Sequence, residues 1–124
     1  MREIIEELNI KYKEITVFLS VEANIVNSDN NIDVTESEKG LFDFVHAGYH
    51  FGVRGGYMIR NWLWYHGLGK IFESNLKMKN TEMMVSALKK NKIMILTHPG
   101  DKAPIDLKKV TEACEETGTL MEIN

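Results

Sequence analysis

Four short runs rich in apolar and β-branched residues, "ITVFLSVEANIV", "LFDFVHAGYHFG", "IMILTH" and "TLMEIN", alternate along the chain with segments of helical period. This alternation constrains the fold more than any other feature. A strand followed by a helix and a further strand favours parallel pairing through crossover connections, and hence an α/β sheet or barrel. Continuous apolar character, as in residues 15–26, predicts strands covered on both faces.

The helical segments carry their own signals. "REIIEELNIKYKE" places Ile4, Ile5 and Leu8 on one face with Glu and Lys opposite, the pattern of a short surface helix. A helical turn is expected near "TESEKG", after a turn at "NSDNNID". Residues 55–78 read as one helix with an apolar stripe of Met58, Trp62, Tyr65, Phe72 and Leu76, weakened near Gly67 and Gly69. Asn80 or Thr81 is the expected cap of a following helix that ends in lysines. Asp106 is the expected N-cap of the last helix and Gly118 its stop, with Val110, Ala113, Cys114 and Thr117 facing inward.

With 124 residues the expectation is a single domain over 1–124. The charge of −3, from 15 basic and 18 acidic residues without a Lys/Arg-rich block, argues against a nucleic-acid partner. No apolar run reaches membrane-spanning length, and the charged, amphipathic start is unlike a signal peptide. One cysteine, Cys114, forms no internal disulfide and reads as a small buried hydrophobe. A cytoplasmic location is expected, with no membrane partner.

Ligands of parallel α/β folds gather where the strands end. The residues at those ends are Glu22, His50, His98 and Glu122. A carboxylate with two imidazoles suits zinc, manganese or iron. A lone histidine at a strand end is more often structural, so His98 gains weight only beside Glu22 and His50. His46 lies four residues before His50 on the same strand face and is expected behind the ligands rather than among them. His66 reads as a surface or packing residue, and Trp62 and Tyr65 as core or as a partner contact.

The motifs "SVEANIV", "DFVHAGYH", "NTEMMVSAL", "ILTHPG" and "LMEIN" stand in the order found in the polymerase and histidinol phosphatase (PHP) superfamily of metal-dependent phosphoesterases, and the chain resembles a central part of such a domain over most of its length. The pairing of "HPG" with "EIN" carries the most specificity.

The resemblance implies a distorted (β/α)7 barrel, of which this chain would form a partial, incomplete domain. It implies Glu22, His50 and His98 as metal ligands and Glu122 as a supporting residue. It also implies zinc, manganese or iron as cofactor and a small phosphorylated metabolite as substrate. Arg54 and Lys102, just beyond two of the ligands, are candidate phosphate contacts.

The His-x-His and Asp-x-His pairs of the superfamily are not in this sequence, whose histidines are His46, His50, His66 and His98. Impaired two-ion chemistry is therefore expected, as is an uncovered barrel interior that drives self-association or pairing with a complementary chain. The alternative function is a non-catalytic PHP remnant or a subunit acting only with a partner. A different metal-dependent barrel hydrolase, such as an amidohydrolase, would leave "HPG" with "EIN" unexplained.

Overall fold

The strands Ser20–Asn24 (β1), Phe44–Gly48 (β2), Ile95–Leu96 (β3) and Leu120–Met121 (β4) form one parallel sheet in the order β1-β2-β3-β4. The computed structural model describes residues 1–52 and 57–123. In register, Glu22 stands beside His46, Asn24 beside Gly48, and Ala47 beside Leu96. Sheet-type hydrogen bonds run past the short central strand, from Met94 N to Val45 O and from Thr97 N to Ala47 O.

Helices Arg2–Lys11 (α1), Glu36–Lys39 (α2), Met58–Tyr65 (α3), Glu73–Lys90 (α4) and Leu107–Thr117 (α5) alternate with these strands. The core lies between one sheet face and the two longest helices. Ala23, Val45, Ala47, Tyr49 and Leu96 pack there with Met83, Met84, Ala87 and Leu88 of α4 and with Val110, Ala113 and Cys114 of α5. Thr117, expected on the inner face of α5, is exposed.

The apolar runs alone predict coverage on both sheet faces, and the resemblance to part of a barrel predicts one uncovered inner face; the helices bury only one face. On the other face Glu22 is exposed, Asn24 and His46 are half-buried, and Leu120 keeps 63% of its surface accessible. Ala23, Val45 and Ala47 supply the buried alternation, with Val21 partly buried beside them, while Phe44, Ile95 and Leu120 add apolar residues to the open face.

Strand β1 begins later than the apolar run predicts. Ahead of it, Val17 exchanges both backbone hydrogen bonds with the Asn9 side chain of α1. Leu19 N–H donates to Asp43 Oδ2, and Leu19 O accepts from Asp43 N. These backbone groups therefore find partners outside the ladder.

The expected long aromatic helix is divided. Helix α3 closes at Gly67, whose φ of 77° lets Leu68 N–H reach back to Leu63 O, and a 3₁₀ turn at Lys70–Phe72 precedes α4. Trp62 and Tyr65 lie half-exposed on α3 instead of in the core, with the exposed His66 ring packed on both.

Neither Asn80 nor Thr81 caps a helix, because α4 runs through both. Asn80 is fully buried and exchanges two hydrogen bonds with Asn61 of α3 at 2.7 and 3.1 Å, while also donating to Pro104 O. Thr81 Oγ1 donates to Lys77 O and accepts from Asp106 N–H. Their polar atoms join α4 to α3 and to the approach of α5. The expected ends of α5 do form, with Asp106 accepting from Lys109 N–H and Gly118 at the stop. Thr35 and Glu38 complete a capping box on α2.

Candidate metal centre

Glu22, His50 and His98 converge at one end of the sheet, and their ligand atoms all lie within 4.8 Å of one another. Parallel strands bring this about by pointing the same way, so the segments after β2 and β3 emerge beside the side chain of Glu22. His50 Nε2 lies 3.5 Å and His98 Nε2 3.6 Å from Glu22 Oε1, and the two imidazole nitrogens are 3.1 Å apart. Ligands bound at about 2.0–2.1 Å in a tetrahedral set stand ~3.3 Å apart, so three such donors at this spacing could hold a divalent ion.

Neighbouring groups hold each donor in place. Thr97 Oγ1 donates to Glu22 Oε1 at 2.7 Å, and this bond, ahead of the nearby imidazoles, holds the carboxyl pKa below its ordinary value against the opposing effect of burial. Partial burial pushes the pKa of His50 down, and the Glu22 carboxylate pulls against that shift. Both effects favour the forms that ligate, a carboxylate and a neutral imidazole.

His98 adopts a left-handed backbone, φ 33°, and its N–H donates to Glu122 Oε2 at 2.6 Å. The Nδ1 of its ring is buried with no hydrogen-bond partner among the described residues. Gly48 makes room for the ring. A Cβ there would stand 2.3 Å from Thr97 Oγ1 and 2.9 Å from His98 Cε1.

The other residues singled out in the sequence fall around this cluster. Glu122 supports the backbone of His98 as described. His46 lies beside Glu22 on the open face, close enough to act on its charge, with its ring against Phe44. Lys102 is near enough for its charge to press the His50 pKa down. Arg54 lies outside the described residues. Cys114 is buried in the core, which pushes its thiol pKa up.

Four residues that the sequence analysis did not single out for the site also bear on it: Asn24, Asp33, Gly48 and Thr97. Asn24 follows Glu22 by two on β1, a period-2 signal for a shared face. The turn containing Asp33 offers no comparable signal, because its position depends on the bridge between Ile25 and Ile32.

The fold and site thus define an α/β chain with a parallel sheet and a carboxylate–imidazole cluster at its strand ends. No protein-family model matches the chain. It is 34% identical over 109 residues to a probable phosphatase of Shewanella sp. (strain ANA-3) and, to the same degree, to one of Shewanella baltica (strain OS195). It is 32% identical over 109 residues to a probable phosphatase of Shewanella oneidensis. Each match covers 87% of this chain and 36% of the relative, so the chain spans about a third of the length of these curated relatives. No helix among the described residues is long and apolar enough to cross a membrane.

Proposed function

We propose that this chain belongs to a metal-dependent phosphoesterase of the PHP superfamily that hydrolyses small phosphorylated metabolites. The observation that carries the reading is the convergence of Glu22, His50 and His98 at the strand ends. Support comes from the similarity to probable phosphatases and from the ordered motifs "VEAN", "HPG" and "EIN". Four parallel strands alternating with helices fit part of a (β/α)7 barrel.

In this reading Glu22, His50 and His98 hold a zinc, manganese or iron ion. Such an ion, when bound, supplies electrophilic polarisation of a phosphoryl group and a more acidic water. The chain's own residues set the conditions for that chemistry. Thr97 keeps the Glu22 carboxylate oriented and charged, Glu122 fixes the loop that carries His98, and Lys102 offers a cation to the phosphate.

Metal analysis and phosphate release from a generic aryl phosphate test the proposal. The expected result is bound metal that is lost in His50→Ala, with metal-dependent phosphate release. A chain that takes up none of the three metals and releases no phosphate after loading would sink it.

The open sheet face favours a second reading, a subunit that works only when this face is covered by a second copy or a complementary chain. On this face Leu120 is 63% exposed, and Phe18, whose ring meets that of Phe44, is 58% exposed, which is costly for apolar side chains left in water. Under this reading phosphate release appears only with the partner present.

A further inference from the structure

The turn after β1 brings a carboxylate behind one of the candidate ligands. Ile25 and Ile32 form an antiparallel bridge that folds residues 25–32 back on themselves and sets Asp33 against Asn24. Asn24 N–H donates to Asp33 Oδ1 at 2.7 Å, Asn24 Nδ2 donates to Asp33 Oδ2 at 2.6 Å, and Asp33 N–H donates to Asn24 O at 3.2 Å. On its other side the Asn24 amide oxygen lies 2.8 Å from His50 Nδ1.

The direction of these bonds follows from which groups can donate. An ionised carboxylate only accepts, so Asn24 must turn its NH2 group toward Asp33 and its oxygen toward His50. An amide oxygen also only accepts, so Nδ1 of His50 must carry the ring proton. In a neutral imidazole the other nitrogen then has a free lone pair. That nitrogen, Nε2, is the one facing Glu22 and His98.

The contact between the two histidines agrees with this order. If His50 Nε2 accepts, His98 Nε2 donates in the cation-free chain, and a cation that takes both nitrogens replaces this bond and moves the His98 ring proton to Nδ1.

We propose that Asp33 and Asn24 are positioning residues that fix His50 as its Nδ1–H tautomer, so that its Nε2 lone pair is presented to a divalent cation shared with Glu22 and His98. The cation part rests on the metal-dependent reading above; the tautomer part does not. Polar groups behind a ligating histidine typically alter metal affinity about 10–100-fold when removed.

The test pairs two readouts on the full chain, with folding checked by circular dichroism. Long-range ¹⁵N–¹H NMR of metal-free protein reads the tautomer, and calorimetric titration with Zn²⁺ or Mn²⁺ reads affinity. In the unsubstituted chain His50 should show a protonated Nδ1 and an unprotonated Nε2. Asp33→Asn frees the Asn24 amide to turn over, and should give mixed tautomers with affinity reduced about 10-fold or more.

The double substitution Asn24→Asp with Asp33→Asn exchanges donor and acceptor between the two side chains while leaving an acceptor for His50. It should restore both the tautomer and most of the affinity. A structural turn without influence on the imidazole would give no tautomer change in Asp33→Asn and no rescue in the pair, and either result overturns the proposal. A correct tautomer in a chain that binds neither cation overturns the cation part and the metal reading with it, leaving the relay. Normal binding with an Nε2–H tautomer overturns the relay and spares the metal reading.

Discussion

The hydroxyl of Thr97 bonds to Glu22 Oε1 at 2.7 Å while also reaching Ala47 O at 3.2 Å, so one side chain fastens the carboxylate to the neighbouring strand. Thr97→Val keeps the shape and removes the donor. We expect cation affinity to fall about 10-fold and stability to drop by about 1 kcal/mol, checked by Zn²⁺ titration calorimetry and urea unfolding. Unchanged affinity would show that Glu22 needs no such support.

Gly48 stands where any side chain would meet Thr97 and His98. Gly48→Ala should therefore destabilise by about 1–3 kcal/mol through overpacking, and should shift the NMR signals of His98 more than those of distant histidines such as His66. An equally stable variant with an unmoved His98 would refute the close fit.

The Asn61–Asn80 pair joins α3 to α4 inside the protein. Asn80→Ala removes its bonds to Asn61 and Pro104 and leaves a cavity, so a loss of about 2–3 kcal/mol is expected in urea unfolding at neutral pH. A surface substitution such as Lys108→Ala should change stability by less than about 0.5 kcal/mol.

Stability should also fall in acid in a traceable way. The side chain of Arg2, then the backbone N–H of Leu19, hold the pKa of Asp43 below its ordinary value of 3.8. Between the lowered folded value and the unfolded one, the unfolded chain binds more protons, so stability rises with pH there. The contribution is complete above the unfolded value and disappears as pH falls through the folded one. Asp43→Asn should flatten this part of the stability profile measured by chemical unfolding between neutral pH and strong acid. A profile of unchanged slope would remove Asp43 from the account.

The open sheet face leads to a prediction about association. Leu120→Lys places a charge on the exposed edge strand β4 and should weaken concentration-dependent self-association at least about 10-fold, read by light scattering. The unsubstituted chain remaining monomeric at high concentration would count against self-pairing through this face.

Much of the fold was legible because its signals are local. The strand–helix alternation, the Asp106 cap and the Gly118 stop depend on residues within a turn or two of each other. Asn80 misled because a polar residue at a helical position reads locally as a boundary, whereas its partner Asn61 lies 19 positions upstream on another helix. The uncovered face followed from the resemblance to part of a barrel but not from the strands themselves, where apolar residues such as Phe44, Ile95 and Leu120 give the look of burial on both sides. For the site, Glu22, His50 and His98 stood out as chemically apt residues near strand ends, and the structure brings them together through the order β1-β2-β3. Asp33 stayed hidden because a turn sequence does not disclose which side chain it folds back upon.

The bond from Thr97 to Glu22 spans 75 positions of sequence and the contact between His98 and His50 spans 48, in a chain whose cysteine is free. Contacts of such separation require long stretches of chain to close, so we expect the cluster to be assembled late in folding. An ion that binds only the finished cluster would draw the whole sheet toward its native state by mass action. Chelation should therefore lower the melting temperature of strands far from the cluster as well as those beside it.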